Sequence, residues 1–255
     1  MKVRKFVCAL GLAFLGAASV QAQAQSGNIA ALEFQTPKNG MAKQYEEGRK
    51  QKAAWHKQQN DKTPLYVWEI RSGDNTGTYV VGQLGQHWAD FDKPSVPEAA
   101  DLEEYNKVIG AYVQSMVARY YAFLPKISSP SSGATAPAKF LETITFEVRP
   151  GHGDDFRSAI DRVTEAAKKT KWPVYYEWYV LANGGRSGTY VLVLPRASWA
   201  DFEDKPDTKP FREMLKDAFG QGEADSIVKR LDSSIEGERS EIIEFRPDLS
   251  FIPSK

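Results

Sequence analysis

Four short runs of this chain put carboxylates, guanidiniums and phenols at alternate positions. In Val67-Trp68-Glu69-Ile70-Arg71 the set contains Glu69 and Arg71. In Tyr175-Tyr176-Glu177-Trp178-Tyr179 it is Tyr175, Glu177 and Tyr179. Leu32-Glu33-Phe34-Gln35 and Thr145-Phe146-Glu147-Val148-Arg149 add Glu33, Glu147 and Arg149. A period of two is that of a β-strand, whose side chains point alternately to its two faces. If Tyr66, Trp68, Ile70, Tyr176, Trp178 and Val180 pack on helices, the polar set points to the other side of the sheet. Carboxylates and arginines among aromatic walls are the makings of a pocket for a small apolar or aromatic ligand. They equally suit plain mutual pairing, the commoner fate of buried charge.

Other chemistries find little support. His56, His87 and His152 stand in no metal-binding spacing such as HExxH. His152 reads as a turn residue and His87 as a helix-entry residue. Gly184-Gly185-Arg186-Ser187-Gly188 lacks the Gly-Lys-Ser/Thr ending of a phosphate loop and falls between two strands, so it reads as a hairpin. No serine stands in a Gly-x-Ser-x-Gly turn. Trp88-Ala89-Asp90-Phe91 and Trp199-Ala200-Asp201-Phe202 repeat one motif. A motif kept in both copies reads as packing, with the aspartates bonding exposed amides.

The chain has 255 residues, 33 Lys+Arg against 33 Asp+Glu, and 42% hydrophobic residues. Balanced charge and the lack of a basic surround argue against nucleic-acid binding. Lys2, Arg4 and Lys5 precede an apolar run from Phe6 to Val20, then small residues suited to cleavage after Ala22 or Ala24. This predicts a secretory signal peptide over 1–24 and a periplasmic or secreted product. The apolar run is short for a bilayer span, so no stable membrane anchor is expected. The one cysteine, Cys8, leaves with the leader, which excludes thiol chemistry and disulfides from the mature chain.

The elements that position these residues occur twice. Gly77-Thr78-Tyr79-Val80 and Gly188-Thr189-Tyr190-Val191 match at an offset of 111 (188 − 77), as do the two Trp-Ala-Asp-Phe motifs. Asp92-Lys93-Pro94 returns as Asp204-Lys205-Pro206. Leu32-Glu33-Phe34 resembles Phe146-Glu147-Val148, and Leu124-Pro125-Lys126-Ile127-Ser128 resembles Arg246-Pro247-Asp248-Leu249-Ser250. Two halves, 28–127 and 139–253, are joined by a Ser/Pro-rich linker over 128–138. Each reads as strand, helix, hairpin, helix, strand: an α+β, ferredoxin-like βαββαβ unit. In the second half, Phe156, Ala159, Ile160, Val163 and Ala167 form an apolar helical stripe. The first helix, over 40–59, has a weaker one of Tyr45, Gly48 and Trp55, with Lys52 between.

A βαββαβ unit covers one face of its sheet with helices, and the bare face needs a partner. The element order, the proline–glycine turn after the first strand and Trp-Ala-Asp-Phe after the third resemble the dimeric α+β barrel superfamily, which includes antibiotic-monooxygenase-like, NIPSNAP-like and chlorite-dismutase-like proteins. The resemblance implies an intramolecular barrel, with two sheets facing each other around a cavity. It implies no single reaction. Small-ligand binding between the sheets is the leading expectation, with no cofactor. A cofactor-independent oxygenase or haem enzyme is the alternative, with His56 or His87 as axial-ligand candidates. A structural or protein-interaction module is a third. Oligomeric state is left open.

Overall fold

The computed structural model describes residues 27–129, 137–203 and 208–253. The expected leader with Cys8, residues 130–136 of the linker and the second Asp-Lys-Pro lie outside them. The first half runs β1 (Ile29–Pro37), α1 (Ala42–Gln58), β2 (Tyr66–Ile70), β3 (Tyr79–Gln86), α2 (Glu98–Val108) and β4 (Val113–Phe123). The second runs β5 (Phe140–Val148), α3 (Gly153–Thr170), β6 (Glu177–Asn183), β7 (Thr189–Arg196), α4 (Phe211–Phe219), α5 (Gln221–Ser234) and β8 (Ile235–Phe245).

Each element has a local cause. In α3, acidic Asp154 and Asp155 occupy the first turn and Lys168 and Lys169 the last, both favourable to the helix dipole. Its apolar stripe is buried at Phe156, Ala159, Ile160 and Val163. Strand β7 passes through Pro195. Its pairing with β6 ends at Glu177↔Val193, so from Leu194 onward one edge is open and a residue without an N–H is tolerated. Helix α5 passes into β8 at Ile235 without a loop.

The eight strands among the described residues close an antiparallel barrel in the order β1-β3-β2-β8-β5-β7-β6-β4. The halves meet at two seams, where Trp68 faces Phe245 and Ile70 faces Ile243, and where Tyr121 faces Leu181 and Phe123 faces Tyr179. Closure pairs the outer strands of the first half, β2 and β4, with β8 and β6 of its twin. Helices lie outside. On the second half, α3, α4 and α5 bury Phe156, Met214, Leu215 and Ile227 against Val148, Trp178 and Tyr190. On the first, α1 and α2 cover Val67, Tyr79 and Val81 with Tyr45, Val108 and Ile109.

The repeated Leu124–Ser128 and Arg246–Ser250 segments are reciprocal straps. The Arg246 amide donates to the Val67 carbonyl at 2.8 Å, and Ser250 Oγ accepts from the Val67 amide at 2.9 Å. On the other side, the Leu124 amide donates to the Trp178 carbonyl at 2.8 Å, and Ser128 Oγ accepts from the Trp178 amide at 2.8 Å. Each half thus closes the first hairpin strand of its twin. Ser128→Ala and Ser250→Ala each strand a backbone N–H, and each is expected to cost about 1–3 kcal/mol in urea denaturation. A loss below the error of the measurement at both sites would show that the straps are dispensable.

The Trp-Ala-Asp-Phe motifs are short 3-10 turns at equivalent corners. Asp90 accepts from the His87 amide at 2.7 Å, and Asp201 from the Ala197 and Ser198 amides at 2.9 and 3.1 Å. Trp88 packs on Tyr120, and Trp199 on Phe140. These contacts give the motif a turn-forming and packing part, with Trp88 and Trp199 about half exposed.

Candidate functional site

Faces of the barrel wall follow from strand alternation. In the second half Phe146, Trp178, Tyr190 and Leu192 pack under the helices. Their alternates Thr143, Thr145, Glu147, Glu177, Tyr179, Val191 and Val193 therefore line the barrel interior. In the first half the interior wall is apolar: Leu32, Phe34, Tyr66, Trp68, Ile70, Val80 and Leu84 cluster there with Leu141, Ile243 and Phe245. One polar and one apolar wall thus share the lumen. Leu32, Phe34, Thr143, Thr145, Glu177, Tyr179, Val191 and Val193 are only half-buried, whereas Gln35, Val67 and Tyr45 under the helices are fully buried. Trp68, Ile70, Val80, Tyr121 and Ile243 on the lumen face are buried, so exposure is confined to part of the interior.

The expected site residues divide. Tyr175, Glu177 and Tyr179 act as one unit: both phenols donate to the Glu177 carboxylate, at 2.7 and 2.9 Å. Burial, reinforced by Glu177, pushes the Tyr179 phenol well above its ordinary value. The Tyr179 ring lies 5.3 Å from Phe123, and both line an open hollow of about 120 Å³ with Leu84, Gly85 and residues 27–30. Glu147 takes bonds from Arg239 at 2.9 Å and Arg186 at 2.8 Å, which hold its carboxyl below its ordinary value. Arg149 lies past the end of β5, exposed, and donates to the Ile235 carbonyl at 3.1 Å.

Glu33, Glu69 and Arg71 are not in the lumen. They lie on the helix-facing side of the first sheet, and Tyr66, Trp68 and Ile70 face inward, the reverse of the expectation. The cause is register. Trp68 faces Val80 and Tyr179 faces Val191, so Trp68 corresponds to Tyr179 at an offset of 111 (179 − 68). Matching Trp68 with Trp178 slips the strand by one residue, which exchanges its faces. Likewise Gln35 faces Tyr79 and Phe146 faces Tyr190, so Glu33 corresponds to Ile144, not to Glu147. Sequence reasoning also missed lumen residues on β4 and β8. Val117, Arg119, Tyr121 and Phe123 alternate within a recognised strand, and that alternation was the available signal.

The misplaced residues belong to a polar seam between the first sheet and α1. The fully buried Gln35 donates to Glu33 at 2.6 Å and accepts from the Tyr45 hydroxyl at 2.8 Å. Arg246 bonds Glu46 at 2.5 Å, Glu69 at 2.9 Å and Asp248 at 2.9 Å. Farther along α1, Lys52 donates to the Asp101 carbonyl at 2.6 Å and its carboxylate at 2.9 Å. His56 Nδ1 is bonded to Asp61 Oδ2 at 2.8 Å, which leaves Nε2 unbonded, 3.3 Å from Asp101 Oδ1.

Burial, against the pull of Asp101, lowers the His56 pKa from its ordinary 6.5. The unfolded chain therefore takes up this proton first. Stability present above pH 6.5 is lost as pH falls toward the lower folded value. The urea midpoint is expected to fall between pH 7 and pH 5 in the native protein, and this component to vanish in His56→Gln. Glu46, Glu147 and Asp248, held low by arginines, add their losses only below about pH 5. Identical pH profiles for the two proteins would refute the assignment.

Solved structures share this architecture. A Fusobacterium nucleatum protein assigned as a monooxygenase aligns with a TM-score of 0.56 at 10% identity, covering 86% of this chain and 93% of its own. A Lactobacillus acidophilus protein assigned likewise aligns at 0.53 and 8% identity, covering 89% and 97%. Chlorite dismutase from Candidatus Nitrospira defluvii, in complex with imidazole, aligns at 0.50 and 11% identity, covering 88% and 92%. The chain has the dimeric α+β barrel fold. No family model matches it, nor does any curated protein. At such identities a dimeric α+β barrel carries no particular reaction with it.

Within this dimeric α+β barrel the histidines do not fit a haem. An axial ligand needs a ring nitrogen open to the iron. His56 is 6% exposed, is bonded at Nδ1, faces Asp101 at Nε2 and stacks on Phe251. The His87 side chain accepts the Asp90 amide in its exposed turn. His152 bonds Asp155 at the start of α3. Among the described residues no cluster of three or more His, Cys, Asp or Glu is arranged to hold a metal. Nor is any described helix long and apolar enough to cross a membrane.

Proposed function

We propose that the lumen binds a small, largely apolar or aromatic molecule taken from solvent. The observation that carries this reading is an interior with a largely buried aromatic wall on one side and half-buried hydroxyls and carboxylates on the other. The open hollow of about 120 Å³ beside Phe123 and Tyr179 is smaller than the roughly 150 Å³ apolar cavity that holds benzene, so a one-ring ligand would extend from it into the lumen. Benzyl alcohol is expected to raise Tm and to alter Trp68 fluorescence. Val191→Trp, which fills the lumen, is expected to keep the fold and lose both responses. No response in the native protein, or an equal one in Val191→Trp, would refute lumen binding. The leader-like start extends the reading to a protein working outside the cytoplasm. Mature protein from its host should then begin at Gln23 or Gln25.

A cofactor-independent oxygenase is the second reading. It is favoured by Glu177, a lumen carboxylate placed to accept a proton from a bound hydroxyl, and by the monooxygenase assignment of two proteins of the same fold. Oxygen uptake with hydroxylated ring compounds, lost in Glu177→Gln, is its test. Absence of uptake across such a panel would leave binding alone.

A further inference from the structure

We infer that the lumen selects anionic ring compounds, and that Arg119 takes their acid group with the Tyr121 hydroxyl beside it. This inference rests on the binding reading and names its ligand class.

Arg119 lies on the inward face of β4, opposite Leu32 of the apolar wall. Its guanidinium sits 5.0 Å from the Phe34 ring centre, and its Nε is buried with no acceptor. Among the described residues, no carboxylate lies within ion-pair distance of it. The other lumen arginine, Arg239, is bonded to Glu147 at 2.9 Å. Burial raises the Tyr121 phenol, while the bond and charge of Arg119 act against that rise, so the two groups face the same space. Trp68 contributes a second buried donor without a partner, Nε1, from the same apolar wall.

Two buried donors without an acceptor, Arg119 Nε and Trp68 Nε1, on the walls of one lumen describe an incomplete set of hydrogen bonds. Buried donors are ordinarily satisfied. A carboxylate supplies the acceptors, and its pairing with a guanidinium is the stronger, charge-assisted kind. The ring behind the acid group would lie on Phe34 and Leu32, a position in the lumen apart from the hollow lined by Phe123 and Tyr179. Arg49, the other arginine with an orphaned Nε, is 3% exposed in the closed seam under α1, out of reach of a ligand in the lumen.

The test compares benzoate with benzyl alcohol, by calorimetry and thermal shift, on the full chain. Native protein is expected to bind benzoate about tenfold more tightly, the ratio a charge-assisted contact supports. Arg119→Met should erase that preference while leaving benzyl alcohol binding intact. Arg119→Lys should keep part of it, because one ammonium replaces a fork of donors. Unliganded melts of both variants report whether the fold survives. If neither compound binds native protein, the binding reading fails and this inference with it. If both bind equally, or Arg119→Met retains the preference, the anion site is refuted and lumen binding stands.

Discussion

Asp101→Ala is expected to destabilise the protein by about 3 kcal/mol, the low end for breaking a buried ion pair. Lys52 is 2% exposed, lies 4.0 Å from the centre of the Trp55 ring, and has Asp101 as its partner through both the carboxylate and the main-chain carbonyl. Without the carboxylate, an ammonium is left where burial already lowers its pKa. Two features keep the loss from being larger: the carbonyl stays in place, and the Asp101 side chain is 40% exposed. Adding Lys52→Met should recover most of the stability, because a side chain of similar volume then fills the site without charge. Urea denaturation of both single variants and the double variant closes the cycle. A cost below about 1 kcal/mol for Asp101→Ala would mean that the ammonium escapes to solvent.

Separating the halves should have the largest effect of all. Residues 28–127 alone would expose the edges of β2 and β4, which pair with β8 and β6 in the whole protein. They would also expose the apolar wall of Leu32, Phe34, Trp68 and Val80. The strap at Arg246–Ser250 would be missing from Val67, and Leu249, fully buried against Val67 and Tyr45, would go with it. Neither half is expected to give a cooperatively melting monomer. Co-expression of both should restore a complex that melts as the intact chain does. A lone half that melts cooperatively as a monomer would overturn the mutual dependence of the two lobes.

Much of this architecture is written locally. The alternation in Ile144-Thr145-Phe146-Glu147-Val148, the Asn183–Gly188 turn and the stripe of α3 each specify an element through contacts a few residues away. The duplication is legible because Tyr79 and Tyr190 keep equivalent strand positions. Even the straps are visible as repeated spelling, although nothing local says that each half lends its strap to the other. The stripe of α1 is harder to read. Its buried positions Tyr45, Gly48, Arg49, Lys52 and His56 keep the helical period, but in polar residues whose partners come from β1, α2 and the 59–63 turn. Gly48 is there because a Cβ would meet the Val108 carbonyl at 2.1 Å, an approach set by the packing of α1 on α2.

The sequence by itself determined the order of elements, the duplication and the family of chemistries worth considering. Which side of each strand faces the lumen was decided only in the tertiary structure. Alternation defines two faces without labelling them, and a one-residue difference in register exchanges their environments. Glu33, Glu69 and Arg71 went to the helix layer and Trp68 to the interior for that reason. The meeting of Arg119 with Phe34 and Tyr121, and of Glu177 with its two tyrosines in the lumen, likewise depends on strands that pair across the whole chain.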